Sequence, residues 1–295
     1  MLVCGLLIQG CAARSSTVVA PRTQKYGSGL GLPGATPAPA PRAAGAKTTH
    51  VAARSRPAQA APTYAPVTLA QSPQQIDDDG PVGANARLYL NRKIPKLVVE
   101  IDAVRGYEPA PSAVRLLRAR LGEIVDKPGG IQVLPTKIIS GTQDADSQHS
   151  FMENTERKYR THHSTASAIV LYVLYSDGDT GSAIGAAYSS SAYAVFKQSI
   201  EGAATPLVTA EDIEDSVIVH EMGHVMALVN IGYTSPRDHE DPQHEGHSKN
   251  SKSVMYWAVD NVGVVGLLGG SRKPPTDFDS DDLADLRDLR DGKLT

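Results

Sequence analysis

The chain changes character near residue 86, and this change limits where a folded core can lie. Residues 12–85 are rich in Ala, Pro, Ser, Thr and Gly and show no apolar periodicity. A segment of this composition cannot bury enough apolar surface to offset the entropy lost on ordering. We therefore expect a disordered tether over residues 12–85, semi-extended because of its prolines, and one folded domain over residues 86–295.

Charge divides the chain in a similar way. Residues 1–75 hold seven Lys or Arg and no Asp or Glu, whereas the remainder holds 22 basic and 32 acidic residues. A nucleic-acid-binding domain concentrates Lys and Arg on its folded surface. The predicted domain is acidic instead, so we expect no nucleic-acid partner. The sequence indicates no oligomeric state.

The first eleven residues resemble a bacterial lipoprotein signal. A short apolar run from Leu2 ends in Ile-Gln-Gly-Cys at Cys11, and Cys4 and Cys11 are the two cysteines of the chain. The run is too short to span a bilayer. The resemblance implies export to the bacterial cell envelope and a lipid anchor at Cys11. An ordinary export signal and no export at all are the alternatives.

The predicted domain alternates strand-like and helix-like segments. Residues 167–175 form a near-continuous apolar run, which is typical of a central buried strand. Residues 211–230 have helical apolar spacing, and a last helix begins near Ser280, which we expect to be its N-cap. Residues 141–163 are polar and give no clear prediction. The other expected elements are strands over 96–104 and 131–139, a helix over 112–126, and a strand or hairpin over 183–196.

This order of elements predicts an α/β (α+β) fold. One twisted, mixed sheet would be backed by two helices, and the helix over 211–230 would end in a cleft. A small, irregular C-terminal subdomain would follow and would end in the last helix.

The helix over 211–230 carries the strongest chemical signal, the H-E-x-x-H motif at residues 220–224. Positions four residues apart lie on one face of a helix, so His220 and His224 can bind one metal ion. Glu221 can then reach a metal-bound water as a general base. Five-residue motifs also arise by chance, but a chance match would more often fall in a loop. The pattern predicts a zinc-binding helix.

A catalytic zinc ion usually has three protein ligands and a water molecule, so a third ligand must come from elsewhere. The segment after the helix offers His239, Glu240, Asp241, His244, Glu245 and His247. For each of them, a solvated loop residue or a residue that supports a ligand is the alternative. Residue types and spacing alone leave the choice open.

The helix motif and the later Ser-Val-Met-Tyr at 253–256 resemble the metzincin clan of zinc peptidases. The strict clan motif, H-E-x-x-H-x-x-G-x-x-H, would need glycine at Ala227 and histidine at Asn230, so it is absent here. In the clan, the methionine of the later segment lies in a turn under the zinc. We therefore expect Met255 to pack beneath the site and not to be a ligand.

Archaemetzincin-like proteins have their third histidine directly before C-x-x-x-x-C-x-M. The segment from His247 to Met255 has this spacing, with Ser248 and Ser253 at the cysteine positions. The resemblance implies that His247 is the third ligand and that residues 230–246 are an insertion. Without the cysteines, no disulfide or second metal ion can fix this segment, so we expect a looser loop.

Residues 220–257 are also similar to a group of exported bacterial zinc-dependent metalloproteases. The shared motifs are H-E-x-G-H, L-V-N at 228–230, H-E-D-P-x-H-x-x-H at 239–247 and M-Y-W at 255–257. The resemblance implies a metzincin-like (zincin-like) fold that acts on a peptide or protein substrate.

The same resemblance implies a chemistry for the named residues. One catalytic Zn²⁺ would be held by His220, His224 and His247, and Glu221 would act as general base on the zinc-activated water of a metalloendopeptidase. An edge strand within 183–197 would pair with the extended substrate.

Two other functions are compatible with the sequence. The first is a catalytically inactive, zinc-stabilised binding module on the cell envelope, because the ligand spacing departs from the metzincin pattern. The intact Glu221 argues against it, since a purely structural site needs no general base. The second is a zinc hydrolase that acts on a non-peptide amide. The sequence does not reveal the substrate or the cleavage preference.

Overall fold

A computed structural model describes residues 67–141, 148–177, 183–260 and 273–295. The predicted signal over 1–11, with Cys11, and residues 12–66 of the predicted tether lie outside the described residues. Within the described ranges, no helix is both long and apolar enough to cross a membrane.

A mixed sheet forms the centre of the domain, with strand order β2-β1-β4-β6-β5 and with β3 also paired to β1. Neighbouring strands are parallel, except that β5 runs antiparallel to β6 and is the outermost strand. β4 is buried from its second residue onward, which explains its continuous apolar run. The strands are β1 (Lys96–Val104), β2 (Ile131–Val133), β3 (Lys137–Ile139), β4 (Ala168–Ser176), β5 (Gly185–Ala187) and β6 (Ala192–Phe196).

Helices cover both faces of this sheet. On one face α2 packs against α5, and their apolar residues share a core with Val99, Leu171 and Val195. On the other face Met152 of α3 packs with Tyr172 and with other apolar residues of the sheet. The helices are α1 (Ala86–Leu90), α2 (Pro111–Ile124), α3 (Gln148–Tyr159), α4 (Lys197–Ala203), α5 (Ala210–Val225) and α6 (Ser280–Arg290). The predicted mixed sheet backed by helices is confirmed.

The C-terminal part is irregular, as expected, and ends in a helix. It contains a two-stranded sheet of β7 (Glu240–Asp241) and β8 (His244–Ser248), and a 3₁₀ turn at Trp257–Asp260. α6 packs against α1 and α2, so this part returns to the main domain. The N-cap of α6 is Asp279 and not Ser280, because the Asp279 carboxylate accepts from the backbone N–H groups of residues 281 and 282.

Three segments of the structure differ from what the sequence predicts. The expected strand over 131–139 is two short strands, β2 and β3, that pair with different parts of β1. The helix expected over 211–230 ends at Val225, because Ala227 and Asn230 adopt left-handed conformations with φ of 71° and 58°. The segment 141–163, which gave no prediction, contains α3.

The end of the predicted tether is part of the domain. Residues 67–85 lie along the fold, with Leu69 and Ala70 buried. The N–H of Ala70 donates to the carbonyl of Ala84 at 2.7 Å, and the Asn85 amide donates to Ser190 Oγ at 3.1 Å. The predicted boundary at residue 85 is therefore corrected: the described domain extends upstream at least to residue 67.

Candidate metal centre

α5 places the H-E-x-x-H motif in the interior of the domain. Thr209 caps the helix, accepting from the N–H of Asp212 at 3.1 Å, while the Asp212 carboxylate accepts from the N–H of Thr209. Toward its C-terminal end the helix is buried on all sides. One turn apart, the rings of His220 and His224 have centroids 4.7 Å apart.

The chain turns sharply after α5. Ala227 lies at the position of the metzincin glycine and has the positive φ that favours glycine. Asn230 lies at the position of the clan's third histidine, but its side chain binds the loop, accepting from the N–H of Ser235 and donating to the Glu240 carboxylate. Asn230 therefore shapes the turn and is not directed to the histidines.

Backbone contacts bring the chain back to the helix at β8. The N–H of Val229 donates to the carbonyl of Gly246 at 3.0 Å, and the N–H of Gly246 donates to Glu240 at 3.0 Å. His247 follows at once, and its ring centroid lies 5.2 Å from that of His220 and 4.9 Å from that of His224. One ring nitrogen from each of the three histidines lies within 4.8 Å of the others.

Main-chain carbonyls hold all three imidazoles in the same way. Nδ1 of His220 lies 2.7 Å from the carbonyl oxygen of Val254, and Nδ1 of His224 lies 2.8 Å from that of Leu228. Nδ1 of His247 lies 3.0 Å from the carbonyl oxygen of Glu245. A carbonyl oxygen only accepts, so each Nδ1 carries the proton and each Nε2 presents a lone pair.

The Nε2 atoms make a site that suits a cation. Nε2 of His220 and Nε2 of His224 are 3.0 Å apart, and Nε2 of His247 is buried without a hydrogen-bond partner among the described residues. Lone pairs that face one another are unfavourable unless a positive group lies between them. Neutral imidazole nitrogens are preferred ligands of Zn²⁺, so the donor set fits the metal implied by the sequence.

Burial keeps these imidazoles neutral. The exposed fractions of His220, His224 and His247 are 0%, 2% and 3%. Burial, together with the neighbouring imidazoles, lowers the pKa of His220 to about 3 and the pKa of His224 well below 6.5. Burial lowers the pKa of His247 to about 4. Metal binding therefore requires no deprotonation of these side chains at neutral pH.

Glu221 lies beside the histidines, between α5 and the outer strand of the sheet. It is 2% exposed, and its side chain packs directly against Gly185 of β5. Sequence reasoning did not identify Gly185, because a glycine that makes room for a distant side chain leaves no local pattern.

Met255 packs beneath the motif, as expected. It is fully buried, and its Sδ and Cε lie against Gly223, where any side chain would collide with them. The backbone N–H of Met255 donates to Ser253 Oγ at 2.9 Å. Ser253 Oγ in turn donates to the carboxylate of Asp282 on α6.

Ser248 and Ser253, at the cysteine positions, hold the loop over 247–255 in place by hydrogen bonds. Besides the Ser253–Asp282 contact, the N–H of Asn250 donates to Ser248 Oγ at 3.1 Å. The Asn250 amide donates to Asp279 at 2.8 Å. The loop is thus tied to the start of α6 without cysteines, in contrast to the looser loop expected from the sequence.

His239 belongs to a second cluster and not to the three-histidine group. Its Nε2 lies 2.9 Å from Asp285, and its Nδ1 lies 3.4 Å from Asp282. Burial alone would lower the pKa of His239, but the carboxylates of Asp282 and Asp285 outweigh it and raise the pKa to about 10. His239, Asp279 and Asp282 have spacing compatible with a metal ion.

The other candidate ligands also lie apart from the three-histidine group. His244 stacks on Trp257 with ring centroids 4.0 Å apart, and its Nδ1 lies 3.1 Å from the Asp241 carboxylate. Asp241 also accepts from the N–H of Gln243 at 2.8 Å. The described geometry therefore groups His247, and neither His244 nor Asp241, with His220 and His224.

No family model and no curated protein matches the chain. Among solved structures, it is similar to the crystal structure of archaemetzincin from Methanopyrus kandleri, at 17% identity and a TM-score of 0.42. The match covers 66% of this chain and 94% of that chain. A similarity of this size assigns no function, which has to be inferred from the side chains of the metal centre.

Proposed function

We propose that this protein is a zinc-dependent metalloendopeptidase. The observation that carries the proposal is the meeting of three buried, neutral imidazoles, each with Nδ1 on a main-chain carbonyl and Nε2 left to bind a metal ion. Three protein ligands with one open coordination position are typical of catalytic zinc, whereas structural zinc usually has four. A glutamate beside the first ligand completes the set that hydrolysis needs.

In the proposed site, His220, His224 and His247 hold the ion. When bound, Zn²⁺ polarises the scissile carbonyl and makes a water molecule acidic enough to lose a proton near neutral pH. Glu221 takes this proton as general base and later passes it to the leaving amine. Burial of the site strengthens each of these charge interactions.

The proposed peptide-binding element is β5. It is the outermost strand of the sheet, and it pairs on one side with β6 through residues 185–187. An extended peptide can add to the other side of such a strand by main-chain hydrogen bonds. Because Glu221 packs against Gly185, a peptide on β5 would lie close to the general base.

Substitution of Glu221 tests this function. We expect the full chain to hydrolyse members of a diverse peptide library in the presence of zinc, and Glu221→Gln and Glu221→Ala to lose this activity while binding one equivalent of zinc. Hydrolysis retained in Glu221→Gln would exclude the mechanism. Zinc binding without any peptide hydrolysis by the wild type would favour the inactive binding module on the cell envelope.

We also propose that the protein is exported and attached to the bacterial cell envelope by a lipid on Cys11. The proposal rests on the Ile-Gln-Gly-Cys segment that ends at Cys11. Expression with a labelled fatty acid should label the wild type and not Cys11→Ser, while Cys4→Ser should keep the label. Equal labelling of Cys11→Ser would overturn it.

A further inference from the structure

The residue that faces the Glu221 side chain from the sheet is a glycine, Gly185 of β5. A Cβ atom built on Gly185 would lie 2.7 Å from Cγ and 2.8 Å from Cδ of Glu221, and closer still to Oε1. These are its three nearest neighbours, and all belong to Glu221. Non-bonded carbon atoms pack at about 3.5–4.0 Å. Any other residue at position 185 would therefore displace the Glu221 side chain.

Backbone conformation does not explain this glycine. Gly185 does not have a positive φ, so its conformation is open to other residues. It also pairs regularly with Val195 of β6. A glycine within a strand weakens the strand unless close packing requires it. The close approach of Glu221 supplies that requirement.

Tyr193 is a buried residue of the neighbouring strand, β6. It is fully buried on the face of the sheet that packs against α5. Its hydroxyl has no hydrogen-bond partner within the part of the chain that the structure describes. Burial first, and then the negative charge of Glu221, raise the pKa of Tyr193 well above its ordinary value. Glu221 thus lies against the outer strand of the sheet, and it is 2% exposed.

We propose that Gly185 is a positioning residue for Glu221: the missing side chain lets the carboxylate rest against the backbone of β5. The inference rests on the proposed function, in which Glu221 is the general base and β5 pairs with the peptide. Gly185 then fixes the base relative to the strand that aligns the substrate, and a side chain at this position would disturb that alignment.

The first test needs no catalytic activity. In the full chain, Gly185→Ala should lower the midpoint of thermal unfolding, and the same change in a Glu221→Ala background should lower it much less. The reason is that all three colliding atoms are removed by truncating Glu221. If Gly185→Ala alone does not fold, Gly185→Ala with Glu221→Ala should recover folding. An equal loss in both backgrounds, or no recovery, would overturn the proposal.

The second test separates positioning from general damage. We expect Gly185→Ala to reduce kcat by about tenfold or more, with little change in KM and one equivalent of zinc still bound. Gly122→Ala on α2 is the matched control, because it adds the same methyl group at a place where a Cβ atom would meet nothing within 4 Å. It should leave kcat within about twofold.

A kcat for Gly185→Ala that stays within about twofold of the wild type would overturn the proposal. If the wild type hydrolyses no peptide, the proposed function fails. The unfolding test would still decide whether Gly185 fixes the position of the Glu221 side chain.

Discussion

At the scale of single residues, the metal centre combines what sequence matching predicts with what only the fold supplies. Spacing on a helix predicts that His220 and His224 share a face, and similarity to a known motif selects His247. Neither predicts that each Nδ1 donates to a main-chain carbonyl, because the carbonyls belong to loops whose paths are not encoded locally. These contacts set the tautomer, and with it the direction of every lone pair.

Removal of His247 should remove most of the zinc affinity. His247→Ala takes away one of the three proposed ligands, so we expect a loss larger than the about 10- to 100-fold typical of losing a residue that only supports a ligand. Competition with a chromogenic chelator measures the change. The control is His244→Ala, which removes a ring stacked on Trp257. It should lower zinc affinity by no more than this range of about 10- to 100-fold. Undiminished affinity in His247→Ala would assign the third ligand elsewhere.

His239 should make stability depend on pH in the alkaline range. Because folding raises its pKa from 6.5 to about 10, the folded protein holds this proton more tightly than the unfolded chain does. The contribution is therefore complete below about pH 6.5 and is lost as the pH rises toward 10. We expect the free energy of unfolding in urea to fall over this window.

The matched comparison uses two variants. His239→Gln should show a smaller decrease in unfolding free energy between pH 6.5 and 10 than the wild type. His163→Gln, whose side chain is 69% exposed, should follow the wild type. Parallel curves for His239→Gln and the wild type would show that the ion pairs with Asp282 and Asp285 do not stabilise the fold.

At the scale of elements, prediction succeeded where burial is apolar and failed where burial is polar. β4 and α5 follow from their apolar runs. α3 does not, because two residues of its buried side are Thr155 and Glu156, the latter paired with Arg160. The end of α5 was also missed, since a left-handed alanine at 227 has no signature in composition.

Lys127, a buried lysine, should stabilise the domain because it links α1 to the segment that precedes β1. Nζ of Lys127 donates to the carbonyl oxygens of Leu88, Asn91 and Ile94, at 2.6, 2.7 and 2.9 Å. Lys127→Met leaves these buried acceptors unsatisfied, so we expect a loss of about 2–4 kcal/mol in the free energy of unfolding. Chemical denaturation measures it.

Lys93→Met is the control for that loss. Lys93 also donates to a carbonyl oxygen, that of Gln71 at 2.6 Å, but this contact is exposed to solvent. We expect a change within about 0.5 kcal/mol. Equal losses for the two lysines would mean that burial of the acceptors does not matter.

At the scale of the whole molecule, the domain is larger than composition predicts. Residues 67–85 have few large apolar side chains, so their composition predicts a disordered tether. In the structure, however, Leu69 is buried in the core and Val67 packs against Gly232. A few well-placed contacts keep a segment ordered when both its ends meet an existing fold. Composition averages over such contacts and cannot detect them.

Two shortened chains test this boundary. A chain that starts at residue 67 should unfold cooperatively and bind zinc, whereas a chain that starts at residue 86 should have a clearly lower unfolding midpoint, because it exposes the core beneath Leu69 and Ala70. Differential scanning calorimetry measures both. Equal midpoints would place the boundary at residue 85 after all.

The carbonyl supports of the three histidines would couple the proposed metal binding to folding. No substitution of a neighbouring side chain can remove a main-chain acceptor, so zinc affinity should vary with the integrity of loops 228–247 and 253–255 and not with any one supporting residue. Conversely, an ion that binds the native state alone stabilises it by about 2.7 kcal/mol when its free concentration is 100 times Kd. Under the proposed function, the supply of free zinc would set both the stability of the protein and its activity.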